Sequence, residues 1–475
     1  MEVEVSNRPR FRLAIFCSLL VCATFVAADD NQNQKLDRQF QSAVAQYDAG
    51  RFAEAAAQLE DLLPQVPNNF EVEELLGMAY SALSQDTKAI KHLDAAVRLN
   101  PNSAPARTNL AASLSRSGKT ELAGEQFQKA LELEPRNYTP NHNLGEFYIQ
   151  SGRIVEARPL LERAQRINPS SYDNGYDLAM ADLLTGRLDE ARQLVKSLIQ
   201  SKNTGELHNL LAQIEEKDGN FVAAANEFGT AAHMDPSEDN LFDWGSELLI
   251  HRTYEPAIDV FRQATRLYSN SSRLQIGLGM TLYSRGLYEE AVKALLAAAD
   301  LNPSDARCYL FLSKAYDSSP NQAEEVIQRF RRYSELEPTN ALAQYYYAMS
   351  LWKGKRAEGS DLDLQAVESR LKKSIALNEK LPEAHVQLGN LYADQHEYAK
   401  SIPEYVRALE LNPNLPDAHY RLGTDYVHVG QKDRAQSEFD VYQKLRAQHL
   451  AEIDKERSEV QQFVYSAKVP PSTKP

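Results

Sequence analysis

Three of the ten histidines in this 475-residue sequence recur at related places and could bind a metal ion. His385 and His419 fall at the same point of two consecutive segments, and His208 falls at that point of an earlier one. Zinc sites need three or four converging ligands. No further ligand-spaced group of cysteine, histidine or carboxylate accompanies these residues in the sequence. The sequence therefore favours packing roles for them and predicts no bound metal or cofactor.

Neighbouring carboxylates could carry general acid and base chemistry, as at Glu73-Glu74 and Glu289-Glu290. Such chemistry needs an environment that separates the two pKa values. Nothing in the surrounding sequence sequesters these pairs, so solvated helix faces are the favoured interpretation. Cys308 has no cluster of cations beside it that would stabilise a thiolate, and a packed, unreactive thiol is favoured.

The motifs of common catalytic classes are absent from the sequence. No G-x-x-x-x-G-K-[ST], G-x-S-x-G or H-E-x-x-H occurs, and no paired C-x-x-C follows residue 28. The sequence thus predicts a protein that is not an enzyme. An enzyme that uses carboxylates of an unrecognised arrangement is kept as an alternative.

The charge balance limits the class of partner. The chain has 52 lysines and arginines against 66 aspartates and glutamates, a formal net charge of −14. Affinity for nucleic acid comes largely from basic side chains that release counterions from phosphates. The acidic balance therefore predicts that the protein does not bind nucleic acid.

The segment 1–28 resembles a secretory signal peptide. Arg8, Arg10 and Arg12 form a basic segment, residues 13–26 are apolar, and Ala27-Ala28 offers small residues for cleavage. We expect cleavage near Ala28, which leaves no membrane span; an uncleaved signal anchor is the alternative. Only Cys308 would remain in the mature chain, which excludes an internal disulfide.

A regular repeat, with a period of about 34 residues, organises the chain after the signal segment. Prolines mark this period at Pro67, Pro101, Pro135 and Pro169, and again at Pro236, Pro303, Pro338 and Pro413. Each interval contains two amphipathic segments with apolar residues at i, i+3, i+4 and i+7, joined by a short turn that often carries glycine. Proline ends the second segment because it disfavours the helical region for the residue before it.

Small residues recur where the two helices of each interval must meet. The first helix carries a Leu-Gly or Leu-Ala pair, such as Leu76-Gly77 or Leu144-Gly145. The second helix carries an alanine at Ala55, Ala89, Ala123, Ala157, Ala191, Ala224, Ala257, Ala291 and Ala435. Small residues that face each other let two helices approach closely. One such hairpin cannot bury its apolar face alone, so the hairpins must stack.

Residues 36–449 resemble the tetratricopeptide repeat (TPR) family. The resemblance rests on the period, the small-residue pairs, the aromatic residue four positions after the alanine and the closing proline. The resemblance implies an all-α, right-handed superhelical solenoid of about twelve helix-turn-helix repeats. Their predicted starts lie near residues 36, 70, 104, 138, 172, 205, 238, 272, 306, 341, 382 and 416. Outside the array we predict a signal peptide at 1–28, a linker at 29–35, a capping helix at 450–468 and a disordered tail at 469–475.

The resemblance also implies a concave groove lined by the first helix of each repeat, chiefly at positions 2, 5, 6, 9, 12 and 13. Position 6 holds Asn109 and Asn143 in consecutive repeats, and such asparagines in this family hydrogen-bond the backbone of an extended peptide. Position 9 holds Met78, Met180, Met280 and Met349. Their flexible thioethers suit varied apolar partners, and a core role is the alternative.

One aromatic stretch, residues 345–352, is divided by this register. Tyr345, Tyr346, Met349 and Trp352 fall at positions 5, 6, 9 and 12, whereas Tyr347 falls at a core position. We expect the first four to form an exposed apolar patch typical of an interface, with a packing role as the alternative. The following KGKRAEGSD, residues 353–361, is predicted to be the turn between two helices.

Charged groove positions indicate the character of the partner. Some members of the family bind a C-terminal carboxylate with a clamp of lysine, asparagine and arginine, which no three consecutive repeats supply here. The groove positions instead carry acidic residues at Glu146, Asp173, Asp177, Asp239 and Asp243. Acidic positions favour a partner with basic segments.

The sequence therefore predicts a non-enzymatic scaffold that binds proteins or peptides in a concave groove. The signal peptide predicts a periplasmic or secreted protein, and we expect a role in cell-envelope assembly or export. A structural subunit of a large envelope complex is the alternative. A eukaryotic secretory origin would make Asn137 and Asn270 candidate glycosylation sites.

Overall fold

A computed structural model describes residues 30–319, 322–358 and 363–449 of the chain. These residues form α-helices and one 3₁₀ turn, without a β-strand, and consecutive helices pair into twelve hairpins. The prediction of an all-α repeat fold with about twelve repeats is confirmed. The described residues divide into two compact units, with the boundary between residues 169 and 170. The predicted signal peptide, capping helix and tail lie outside the described residues.

Unit 1 contains hairpins 1 to 4. Their helices are α1 (Asp30–Asp48), α2 (Phe52–Leu62), α3 (Phe70–Ala82), α4 (Asp86–Leu99), α5 (Ala104–Arg116), α6 (Thr120–Leu133), α7 (Tyr138–Gln150) and α8 (Ile154–Ile167). The 3₁₀ turn, Leu63–Gln65, directly follows α2.

Unit 2 contains hairpins 5 to 12. The helices of hairpins 5 to 8 are α9 (Tyr172–Leu184), α10 (Leu188–Ser201), α11 (Gly205–Lys217), α12 (Phe221–Met234), α13 (Glu238–Ile250), α14 (Tyr254–Leu267), α15 (Ser272–Arg285) and α16 (Tyr288–Leu301). Those of hairpins 9 to 12 are α17 (Ala306–Ser318), α18 (Ala323–Leu336), α19 (Ala341–Glu358), α20 (Leu364–Leu377), α21 (Pro382–Asp394), α22 (Tyr398–Leu411), α23 (Pro416–His428) and α24 (432–449).

Each hairpin begins and turns through local sequence signals. Many first helices start at a polar N-cap, as where the Asn69 side chain accepts a hydrogen bond from the backbone N–H of Val72 at 2.9 Å. The turn to the second helix often contains a left-handed residue, such as Gly118 with φ of +72°, which redirects the chain. Ser84 adopts the same conformation without being glycine.

Small residues lie on both helices of a hairpin, and glycines of the first helix pack against leucine side chains of the second, as at Gly77 and Gly145. All nine alanines named above on the second helices are at most 2 % exposed. A Cβ atom added to Gly77 would lie 2.5 Å from Cγ of Leu93, and one added to Gly145 would lie 2.7 Å from Cγ of Leu161. The hairpins therefore close to a distance that only glycine allows at these two positions.

Two local predictions are wrong. The predicted linker 29–35 is helical from Asp30 onward, so α1 begins before the predicted first position, Leu36. The predicted turn at residues 353–361 is helical as far as Glu358. There Gly354 permits close packing, because an added Cβ would lie 2.7 Å from Cδ1 of Ile327.

A polar pair joins the fourth residue of the first helix to the second helix of the same hairpin. Nδ1 of His385 lies 2.7 Å from Oε2 of Glu404, and His208 and His419 make the same contact with Glu227 and Glu438. Hairpin 2 has the pair reversed, with Glu73 on α3 and His92 on α4 at 2.7 Å. These histidines thus bind within their own hairpins. Among the described residues no three or more histidine, cysteine or acidic side chains are grouped to hold a metal.

No helix in the described part of the chain is both long and apolar enough to cross a lipid bilayer.

Candidate functional site

The first helices of neighbouring hairpins form a common surface in unit 1. Helix α3 contacts α1 and α5, and α5 contacts α7. We call this surface the first-helix face; Glu74, Asn109 and Asn143 lie on it, at positions 5 or 6 of their hairpins. In unit 2, α15 contacts α13 and α17 in the same way. Each face presents side chains from several hairpins side by side.

Two asparagines on the first-helix face of unit 1 have unused hydrogen-bonding groups. Asn109 and Asn143 are half-buried, and neither side chain forms a hydrogen bond with any described residue. By contrast, Asn141 is fully buried, and its amide donates to the carbonyl oxygen of Asn137 at 2.7 Å. A side-chain amide offers both donors and an acceptor, the complement of a peptide backbone. The arrangement is suited to bind a main chain that crosses α5 and α7.

Glu74 is the acidic residue of unit 1 whose pKa is raised by its surroundings. Its carboxylate is half-buried and has no hydrogen bond or ion pair with any described residue. Burial, followed by the nearby charge of Glu71, raises the pKa of Glu74 to about 7. The interpretation of Glu73-Glu74 as a solvated pair is therefore wrong, since Glu73 is bound to His92. The Glu289-Glu290 pair is exposed as expected.

The four groove methionines do not share one environment. Met78 and Met349 are each 7 % exposed and belong to hydrophobic cores. Met180 and Met280 are half-buried and pack against the cores of their hairpins. Met78 and Met349 thus have the core role that was the alternative to groove binding. Met180 and Met280 retain some accessible surface.

The prediction of an exposed aromatic patch on α19 is wrong for three of its four residues. Tyr346, Met349 and Trp352 are 7 %, 7 % and 5 % exposed, and Tyr345 is half-buried. Met349 and Trp352 pack with residues of α20 and α21, whereas Tyr346 lies 5.8 Å from the Phe330 ring. In this hairpin the residues at positions 6, 9 and 12 therefore pack against neighbouring helices and are not exposed on the groove. Tyr347 is buried as predicted, at 6 % exposure.

Two acidic residues of unit 2, Asp239 and Asp243, form hydrogen bonds with neighbouring side chains that were not predicted from the sequence. Oδ1 of Asp239 accepts a hydrogen bond from Nη1 of Arg273 at 2.9 Å. Oδ2 of Asp243 accepts one from Nδ2 of Asn209 at 2.9 Å, and burial raises the pKa of Asp243. Arg273 and Asn209 lie at groove positions 2 and 5, so the register could have identified them. Asp173 is exposed, whereas Asp177 and, in unit 1, Glu146 are half-buried.

Cys308 is fully buried on α17. Its thiol donates to the carbonyl oxygen of Asp305 at 3.0 Å, and burial raises the pKa of the thiol to about 12. A thiolate is therefore disfavoured at neutral pH, which agrees with a packing role.

Helical hairpins that stack on their neighbours in chain order define an α-helical repeat protein. Sequence profiles of the tetratricopeptide repeat match residues 40–104, 114–171, 150–214 and 242–306, and a TPR repeat profile matches 389–427. These matches together span more than half of the chain, which belongs to the tetratricopeptide repeat family. No curated protein sequence matches it.

Several solved structures align with this chain at low sequence identity. A tetratricopeptide repeat protein from Parabacteroides merdae is 18 % identical, with 52 % of this chain and 99 % of that chain aligned and a TM-score of 0.42. YrrB, a TPR protein with an unusual peptide-binding site, is 17 % identical over 38 % of this chain and 94 % of its own, with a TM-score of 0.35. A chain of the Naa15/Naa10 complex bound to HypK-THB is 15 % identical, with 86 % of this chain and 68 % of that chain aligned and a TM-score of 0.33.

Proposed function

We propose that the protein is a non-enzymatic scaffold that binds an extended peptide segment of a partner across α5 and α7. The observation that carries the proposal is the pair of half-buried asparagines, Asn109 and Asn143, whose amides have no partner among the described residues. Unpaired polar groups that are partly buried cost free energy, and a bound main chain removes that cost. Main-chain binding gives affinity for many sequences, and neighbouring side-chain contacts then select among them.

Asn143→Ala is expected to weaken peptide binding at least about tenfold, because one main-chain hydrogen-bonding group is lost from a partly desolvated site. Binding of the purified protein to an array of random short peptides measures this effect, and Asn109→Ala should act in the same direction. Gln128→Ala, at an exposed position of the second helix α6, is the control and should bind as the wild type does. Unchanged binding by both asparagine variants would refute a role for the first-helix face.

The partner's bound segment is proposed to be basic. The supporting observations are the net charge of −14 and the carboxylate of Glu71 on the first-helix face of unit 1. In the same array, peptides with lysine or arginine should be enriched among those bound, and equal binding of acidic peptides would refute the preference.

We also propose that the protein is exported and acts in the assembly of envelope structures. The support is the basic and apolar sequence of residues 1–28 with its small residues at Ala27-Ala28. The mature protein isolated from its native source is expected to begin near Asp29, which N-terminal sequencing determines. A chain that retains residue 1 and remains in the membrane fraction would favour the uncleaved anchor.

A further inference from the structure

A cavity of about 570 Å³ lies in unit 2. Its walls come from the second helix α12 and from residues of α13 and α14. Val222, Ala225 and Gly229 line it from α12, and Trp244 and Leu248 line it from α13. We call it the Trp244 cleft. Its volume falls within the range of about 300–1,000 Å³ that is common for ligand pockets.

The lining of the Trp244 cleft carries no aspartate, glutamate, lysine or arginine among the described residues. Helix α12 has a single acidic residue, Glu227, which is bound to His208 and does not line the cleft. Met234, at the rim, is 45 % exposed although it is apolar. A charged group placed in this cleft would lose hydration without gaining an opposite charge. Because the lining carries no fixed charge, the cleft favours an uncharged occupant.

Trp244 leaves one hydrogen-bond donor unused in the cleft. The indole is half-buried against Gly229, where an added Cβ would lie 3.2 Å from Nε1 of Trp244. The indole N–H forms no hydrogen bond with any described residue. Buried tryptophans usually find a partner for this group. The nearby imidazole of His233 donates from Nδ1 to the carbonyl oxygen of Gly229 at 2.6 Å and forms no hydrogen bond with the indole.

The Trp244 cleft thus combines apolar walls with the indole donor and with polar side chains at Asn226, Thr230 and Thr253. A peptide segment supplies a neutral side chain for the walls and a main-chain carbonyl for the donor. We propose that the Trp244 cleft binds a segment of a partner protein that inserts a leucine-sized or phenylalanine-sized side chain and accepts a hydrogen bond from the Trp244 indole. This site is separate from the first-helix face, so it stands or falls independently of the function proposed above.

The test uses the indole N–H as its own reporter in the intact protein. The chain has two tryptophans, so labelling with ¹⁵N-tryptophan gives two indole signals, which Trp352→Phe assigns. The probes are N-acetyl-leucinamide and N-acetyl-lysinamide, which share their amide acceptors and differ in the charge of the side chain. The leucine probe is expected to move the Trp244 proton signal downfield and saturably. The lysine probe should bind at least about tenfold more weakly.

Ala225→Leu is expected to weaken binding of the leucine probe at least about tenfold, because the new side chain fills the cleft. Ala223→Leu on the same helix, at a residue that does not line the cleft, is the matched control and should retain binding. A Trp244 signal that does not move, equal binding of the two probes, or full binding by Ala225→Leu would each overturn the proposal. The comparison of probes on the wild-type protein needs no variant to fold.

Discussion

Replacing Gly277 by alanine is expected to lower the free energy of unfolding by about 1–3 kcal/mol, although alanine favours helices over glycine by about 1 kcal/mol. Gly277 lies inside α15, and an added Cβ would be 2.5 Å from Cε1 of Phe261. The Phe261 ring is fully buried, and its other side faces Gly245, where an added Cβ would be 2.8 Å from Cε2. The ring is thus held between two glycines and cannot withdraw from either.

Urea denaturation of the wild type and of Gly277→Ala measures this loss. Adding Phe261→Leu to Gly277→Ala should recover part of it, so the two changes are expected to be coupled rather than additive. Gly124→Ala, inside α6, is the control: its added Cβ would lie 3.3 Å from the edge of the Phe147 ring. We expect that variant to be close to neutral. Stabilisation by Gly277→Ala would show that helix propensity outweighs the contact with Phe261.

The small residues at the contact between the two helices of one hairpin could be predicted from the sequence because they recur with the repeat. The Leu-Gly and Leu-Ala pairs, the facing alanines and the turn glycines each follow from the repeat period. The structure places those alanines in the core and gives the turn glycines, such as Gly118, a positive φ. Within a hairpin, the position of a small residue in the repeat was enough to predict that it lies in the core or in the turn.

The depth of a groove residue could not be predicted in the same way. The register assigns Met349 and Trp352 to a face, but their burial depends on the size of the residues that the next hairpin brings against them. Here those residues include Leu388 and Tyr392, which pack with both side chains. The position of a residue in the repeat reports the direction of its side chain and contains no information on the neighbour's volume.

Unused hydrogen-bonding groups are likewise a property of the surroundings. The sequence places asparagine at position 6 of hairpins 3 and 4, but only the structure shows that Asn109 and Asn143 lack partners among the described residues while Asn209 has one. The Trp244 cleft had a sequence signal that was overlooked. The cleft-lining positions of α12, residues 222, 225, 226, 229, 230, 233 and 234, carry no aspartate, glutamate, lysine or arginine, which is unusual for a helix surface that is partly exposed to solvent.

The stability of the protein is expected to depend on pH through Glu74. Burial and the charge of Glu71 raise the pKa of Glu74 from 4.5 to about 7 in the folded protein. The folded state therefore binds the proton more tightly than the unfolded state does. Glu74 imposes no cost below pH 4.5, a growing cost between pH 4.5 and 7, and its full cost above pH 7. The shift sets an upper limit of about 3 kcal/mol, which partial exposure reduces.

Glu74→Gln removes the ionisable proton while keeping the size of the side chain. At pH 8 the variant is expected to exceed the wild type in free energy of unfolding by about 1–3 kcal/mol, and at about pH 4.5 the two should be nearly equal. Urea denaturation at both pH values measures the difference. Glu289→Gln is the matched control, since Glu289 is exposed and its carboxylate lies 3.0 Å from Nζ of Lys293. It should change stability by no more than about 1 kcal/mol at either pH. An equal gain for Glu74→Gln at both pH values would mean that packing, rather than the buried charge, is responsible.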